Sequence, residues 1–373
     1  MRDPDPKLVD QTIDLTNCDR EPIHILGRVQ SYGCLIAVSS DWIVAHASTN
    51  CHDILGHEAE ALVGMPLSEL FPPSTRHDLR SKMQTLAYQD TSARIFAYPL
   101  FEDDRLFDVS VHQSDRYYVF EFEPRTDGGA LREDTLTVQA LVGRLRRRKT
   151  LDKMLQEAAV GLKVLTGIDR VMVYRFEEDD SGTVIAEASE PNLEYFLGLR
   201  YPASDIPKQA RVLYTRNLLR IIPDIDAETF PIHPAQSPTG QHLDLSLAVT
   251  RAVSTIHLEY LRNMGVGASM SVSILRKGKL WGLFACHHYS PFYVDFEKRT
   301  AIELFAQLVN YELADHEMGV ELQEIDQARQ FVVHKHIMVG DKCVNIPSYL
   351  VKKEEENKIR FVDASPLKDN EHP

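Results

Sequence analysis

The sequence predicts an α+β protein: two sheet domains with a helical stretch between them, followed by one long helix. Three observations carry this. Short apolar runs interleaved with polar residues cluster in two regions, roughly 20–123 and 170–288, in the manner of half-buried strands. Residues ~133–166 and again ~294–327 follow helical periodicity. The 373 residues suffice for about two to three domains at ~150 residues each.

In the first region "GCLIAVSS", "WIVAHAST", "RIFAYPL", "RLFDVSVHQ" and "RYYVFEFEP" read as strands, with small helical pieces near 51–56 and 66–70. "RTDGGALRED" is a linker. The helical stretch after it holds the basic run Arg144, Arg146, Arg147, Arg148 and Lys149, read as a solvated helix face. In the second region "RVMVYRF" and "GTVIAEAS" are strands. A helix follows Pro207, "PAQSPTGQHLDLS" is a long polar loop, and "STIHLEYLRNMG" is another helix. "ASMSVSIL" and "LWGLFACHH" make a hairpin across "RKGK".

In the long helix Leu304, Leu308, Tyr311, Asp315, Met318, Leu322 and Ile325 fall on alternating four- and three-residue steps, the seam of a dimeric coiled coil. Ile302, Phe305 and Val309 form a second stripe suited to packing on the helix's own domain. The domains expected are an arm over 1–19, sheet domains over 20–125 and 151–315 with a linker and helix over 126–150, the long helix over 297–327, and a tail over 328–373.

Composition narrows the function. A net charge of −14 argues against a general nucleic-acid binder. No apolar run reaches the ~18 residues of a membrane span, and the N-terminus lacks a signal peptide's apolar core. Five irregularly spaced cysteines suggest free thiols in a reducing compartment, so a cytoplasmic protein is expected. Phosphate-loop, nucleophile-elbow and zinc-protease motifs are absent, and no enzyme activity is expected. Cys286, His287 and His288 are adjacent strand residues pointing to opposite faces, so they cannot all hold one metal.

The remaining polar residues share a character. Arg220 and Arg251 are carboxylate forks. Ser269, Ser271 and Ser273 share one face of a strand, and His287 adds a donor. Tyr174, Tyr201, Tyr260 and His257 are amphipathic walls. Together they suit a long, flat, mostly apolar ligand with two carboxylates. In "YPASDIPKQARVLY", Ser204 and Asp205 before Ile206-Pro207 read as a capped helix start.

Residues ~12 to 325 resemble the bacteriophytochromes, biliverdin-binding light sensors, through "CDREPIHI", "YPASDIPKQARVLYTRNLLRIIPDI", "STIHLEYLRNMGVGASMSVSI" and "LWGLFACHH". The resemblance implies a PAS domain and a GAF domain joined by a figure-of-eight knot, with the loop near 228–245 as the lasso. It implies that Cys18 forms the thioether to biliverdin and that Asp205, Ile206 and Pro207 lie along the tetrapyrrole. By the same resemblance, the Asp205 carbonyl and His257 share the central water, and Arg220 and Arg251 hold one propionate. Ser254, Ser269 and Ser271 then lie near the other propionate, and His287 faces the D-ring carbonyl among Tyr174, Tyr201 and Tyr260. Leu26, Ser31, Tyr32 and Thr255 stand where the family usually shows Pro, Pro, His and Pro.

The family pattern continues with a third sensory domain and an output domain, which do not fit in the ~48 residues after Ile325. Instead "QARQFVVHKHIMVGDKCVNIPSYLVKKEEENKIRF" resembles the second half of an archaeal-type ribosomal S4 RNA-binding domain. A chimera is implied, truncated before the third domain and prone to red-shifted fluorescence. RNA is not the expected partner, because the tail carries the acidic run "KKEEEN". The alternatives are an RNA-binding fusion and a GAF-type cyclic-nucleotide sensor.

Overall fold

The first sheet is explained by the split personality of its strands. In the computed structural model, which describes residues 18–84, 92–125, 134–363 and 365, β1 is Arg28–Gln30, β2 Cys34–Val38 and β3 Val44–Ser48. Short helices α1 (Cys51–Leu55), α2 (Ala59–Leu62), α3 (Leu67–Leu70) and α4 (Pro73–Gln84) follow, then β4 (Ala93–Pro99), β5 (Leu106–Ser114) and β6 (Tyr117–Pro124). Cys34, Ile36 and Val38 point into a core under these helices. Leu35 and Ala37 point the other way, into a second core with Leu243, Leu245 and Ala248. Two-residue periodicity serves two cores at once.

Both faces of the central strands are therefore covered. The alternating polar residues that suggest a solvated face are buried: His112, Glu121 and Glu123 are all inaccessible. Half-burial was the expectation for these strands, and the covering segments come from far along the chain.

The linker "RTDGGALRED" lies mostly outside the described residues. Two helices stand where one helical stretch was expected, α5 (Asp134–Leu145) and α6 (Leu151–Thr166). Most of the basic run occupies the break between them and is no helix face. Arg144 and Arg148 converge on the buried Glu157, Arg144 at 2.5 Å, which joins the two helices electrostatically.

The second sheet contains β7 (Arg170–Phe176), β8 (Gly182–Ser189), β9 (Arg200–Tyr201), β10 (Leu219–Ile222), β12 (Ala268–Arg276) and β13 (Lys279–His288). Its order is β10-β12-β13-β7-β8-β9. Helix α7 (Lys208–Arg216) and helix α8 (Thr255–Asn263) lie between its strands in sequence. The long helix α9 runs Phe296–Val333, past the expected end at 327. Ile302, Phe305 and Val309 on it are buried, as their stripe predicts. Phe305 reaches α6 at Gly161, where a β-carbon would come within 3.2 Å of its ring.

One strand departs from the expected loop. β11 (Thr229–His233) falls inside the stretch read as a polar lasso, yet it pairs with β1 and β3. The first sheet thus has seven strands, in the order β1-β11-β3-β2-β6-β5-β4. A five-residue run with Pro231 inside it and Pro234 after it carries little strand signal, and only a partner edge makes it a strand.

The chain divides into two compact units, Met1–Asn310 and Tyr311–Pro373. The second holds the hairpin β14 (Ile337–Val339) and β15 (Lys342–Val344), with β16 (Ile359–Phe361) pairing on the other side of β14. Val339 and Val344 are buried, and Phe331 and Phe361 meet edge to face at 6.2 Å. Among the described residues no helix is long and apolar enough to cross a membrane.

Candidate functional site: a cavity on the second sheet

Strand register gathers the site. Directly opposed residues of antiparallel strands share a face. Arg220 opposes Ser271, Ser271 opposes Ala285, and Ala285 opposes Met172. The neighbouring row runs Ile222, Ser269 and His287. Both rows floor one cavity of about 620 Å³, with residues 204–214 and α8 forming its other walls. That volume lies in the range of small-molecule and cofactor sites.

All thirteen expected site residues with described side chains line it: Tyr174, Tyr201, Asp205, Ile206, Pro207, Arg220, Arg251, Ser254, His257, Tyr260, Ser269, Ser271 and His287. The side chain of Cys18 lies outside the described residues, although its backbone opens a short 3-10 turn over Cys18–Arg20. Ser273 shares the face of Ser269 and Ser271 but is occupied elsewhere, donating to the Tyr214 carbonyl at 2.7 Å.

The turn before α7 is not held as expected. The N-cap is Pro207, and no side chain caps the helix, so neither Ser204 nor Asp205 does so. Arg211, one turn in, does the work instead. It donates to the Ile206 carbonyl at 2.8 Å and the Ala203 carbonyl at 3.1 Å, and it pairs with Asp180 at 2.5 Å. This leaves Asp205 beside the cavity, where Tyr260 donates to it at 3.4 Å and burial raises its carboxyl above the usual range.

Charge marks another part of the lining. Arg251 is buried and Arg220 half-buried. Arg220 donates to the carbonyls of Val249 (3.0 Å), Arg251 and Ala252 (2.9 Å). Arg251 donates to the Ile23 carbonyl at 2.5 Å, and its buried Nε has no partner. Among the described residues neither guanidinium forms an ion pair. Burial lowers both, Arg251 strongly so, with the Arg220 charge adding to the effect. Glu21 also lines the cavity and acts on Arg251 at longer range, but two adjacent cations in a shielded site without an ion pair are costly unless an anion arrives.

The histidines are neutral. Burial pushes His257 down to about 4, helped by Arg220, and His287 down to about 3, helped by Arg170. The His287 Nδ1 is buried without a partner. Tyr174 is pushed up to about 12, mainly by burial. Its ring needs Gly182 beside it, since a β-carbon there would lie 1.9 Å from the ring. The stacked rings of His257 and Tyr260, 6.3 Å apart, supply a flat wall. Cys286 points away from the cavity and is buried, and the His288 Nδ1 lies 3.0 Å from an Asp169 carboxylate oxygen. Among the described residues no group of three metal-ligating side chains is assembled.

Sequence reasoning missed part of the lining. Met172 follows from the two-residue period that places Tyr174 on β7, and Leu283 from the one that places His287 on β13. Glu21 and Ile23 come from the N-terminal arm, and only the tertiary fold brings them to the cavity.

A sheet-floored cavity with flat aromatic walls and uncompensated cations is a chromophore- or cofactor-binding arrangement, and the comparisons give its class. Residues 18–125 match the PAS fold, 150–313 the GAF domain and 322–357 the S4 domain. The chain is 38% identical over 331 residues to cyanobacterial phytochrome B of Nostoc, covering 87% of this chain and 44% of that protein. It therefore spans less than half the length of that relative.

Among solved structures, it matches the chromophore-binding domain of an unusual bacteriophytochrome of R. palustris. The TM-score is 0.72 at 36% identity, covering 81% of this chain and 99% of that one. The chromophore-binding domain of the wild-type phytochrome of Stigmatella aurantiaca matches at TM-score 0.72 and 40% identity, covering 79% and 98%. The chain belongs to the phytochrome family, with an S4-type segment after the GAF domain.

Proposed function

We propose that this chain is a photosensory module that holds biliverdin in the cavity, links it to Cys18 as a thioether, and photoisomerises it. One observation carries the reading: Arg220 and Arg251 stand together in the cavity wall with no ion-pair partner among the described residues. A ligand with carboxylates supplies the missing charge. Ser254, Ser269 and Ser271 are the hydroxyls for a second carboxylate, and the stacked His257 and Tyr260 rings match a flat conjugated system.

Asp205 and His257 act at the pyrrole nitrogens, the Asp205 carbonyl as acceptor and neutral His257 as partner of a shared water. His287, with its free Nδ1, faces the terminal ring whose rotation follows light absorption. The cofactor supplies the isomerisation, and the protein orients it and exchanges hydrogen bonds around it. The domains act as the arm, PAS, linker, GAF, long helix and S4-like tail outlined from the sequence, with the arm passed through the 228–245 lasso. The module is a homodimer through the seam on α9, and RNA is not its partner.

The test is direct. Purified apoprotein mixed with biliverdin is expected to gain a red absorption band that changes on illumination. Cys18→Ser is expected to keep the colour but lose zinc-stained fluorescence on a denaturing gel. No visible band on adding biliverdin would defeat the reading. A covalent signal that survives Cys18→Ser and vanishes in Cys286→Ser would move the attachment site.

A further inference from the structure

Tyr32 stands outside the cavity, at a position where the family pattern has histidine, and the bilin reading gives it no task. Its hydroxyl donates to the Val249 carbonyl at 2.8 Å. Arg220, in the cavity wall, donates to the same oxygen at 3.0 Å. A carbonyl has two lone pairs, so both donors sit on it together, and a shift of either is felt by the other.

The far side of Tyr32 is equally committed. Its ring lies 5.7 Å from the Tyr293 ring, and the Arg299 guanidinium lies over it at 5.7 Å. Arg299 and Tyr293 both bind Glu123, Arg299 as an ion pair and Tyr293 by a 2.7 Å hydrogen bond. Arg299 is in the first turn of α9, and Asp295 just ahead accepts its backbone N–H at 2.9 Å. The segment around Val249 is fastened too. Thr250 gives its N–H and hydroxyl to the buried Glu121 at 2.7 and 2.6 Å, and Ala252 N–H reaches the Arg28 carbonyl at 2.9 Å.

We infer that Tyr32 is a positioning residue: through the Val249 carbonyl it sets Arg220, and through Arg299 and Tyr293 it ties that arginine to the start of the long helix. The contacts run without a gap from a cavity cation to the first turn of α9. A carboxylate that recruits the remaining Arg220 donors therefore alters the load on Val249, and Tyr32 carries the change to Arg299. Contact continuity makes the coupling physical, and exchange measurements make it testable.

The experiment is amide hydrogen exchange on the full chain, wild type against Tyr32→Phe, which keeps the ring and removes the shared hydrogen bond. In the ligand-free protein, loss of that bond is expected to speed exchange in 249–252 and in 299–303 together, on the order of fivefold. Tyr293→Phe removes a hydroxyl from the same cluster but not from Val249, and is expected to leave 249–252 unchanged. The inference is overturned if Tyr32→Phe moves only one segment or neither, or if Tyr293→Phe moves 249–252 equally.

A second arm rests on the bilin reading. Biliverdin is expected to slow exchange in 299–303 of the wild type and to leave it unaltered in Tyr32→Phe, although both take up the pigment. Equal protection of both proteins would overturn the coupling while leaving the bilin reading intact. If biliverdin does not bind at all, the bilin reading fails and the ligand-free arm still decides on Tyr32.

Discussion

In the first sheet Glu123 is 2% exposed and meets Arg299, itself 2% exposed, and the Tyr293 hydroxyl; beside it Glu121 takes two hydrogen bonds from Thr250. In the cavity over the second sheet Arg251, on a segment that bridges to Val29, is 7% exposed and has a buried Nε with no partner, and the His287 Nδ1 of β13 is in the same condition. Both sheets bury charge. The first sheet, like the buried Arg170–Glu187 pair of the second, answers its charges from within the chain, and the cavity leaves Arg251 without an ion pair. Folding tolerates an unanswered buried charge only at a cost, so the contrast separates residues that hold the fold from residues that await a ligand.

The largest effect is expected where charge is already paired. Arg299→Met leaves Glu123 buried without its cation and is expected to cost about 3–5 kcal/mol in denaturant unfolding. A loss below about 1 kcal/mol would mean that the first sheet does not depend on internal pairing.

The seam on α9 is the apolar counterpart of the cavity, with Tyr311, Met318, Leu322 and Ile325 all exposed. Leu308→Glu with Leu322→Glu sets four like charges into a paired seam, at a cost of several kcal/mol. Light scattering is expected to give a monomer with its pigment spectrum retained, and a persistent dimer would place the interface elsewhere.

Arg251→Met sharpens the contrast from the other side. Removing an uncompensated cation is expected to leave the ligand-free protein within about 1 kcal/mol of the wild type, since the lost bond to Ile23 offsets the relieved desolvation. Affinity for biliverdin is expected to fall on the order of 10- to 100-fold, read by titrating the visible band. Large destabilisation with unchanged affinity would make Arg251 a structural residue like Arg299.

The smallest effect is a slope. His257 and His287 are held at about 4 and 3, below the ordinary histidine value. In the unfolded chain they take up protons near pH 6.5, while the folded protein does not. Their contribution is therefore fully present above pH ~6.5 and is lost as pH falls toward 4, by at most about 1.4 kcal/mol per pH unit for each. Unfolding of the ligand-free protein between pH 7 and 4.5 is expected to show a steeper fall than in His257→Gln with His287→Gln. Parallel curves would show that the two rings are not shielded.

The sequence by itself determined most of the local structure and thirteen of the residues that line the cavity. Two-residue periodicity in β7, β12 and β13 places Tyr174, Ser269, Ser271 and His287 on one face, because successive side chains of a strand must alternate. The Ile302, Phe305 and Val309 stripe equally marks the side of α9 that packs inward.

Only the tertiary structure decided which polar residues are answered. Glu121 and Glu123 look like the solvent side of a strand until Thr250 and Arg299 arrive from more than a hundred residues away. β11 looks like loop until the edges of β1 and β3 pair with it. Arg211, and not the expected Asp205 cap, secures the turn before α7 because the Ala203 and Ile206 carbonyls fold back within its reach. Periodicity is a property of neighbours along the chain, and burial and pairing depend on neighbours in space. The charges of this cavity become visible as unanswered only when every distant partner has been placed.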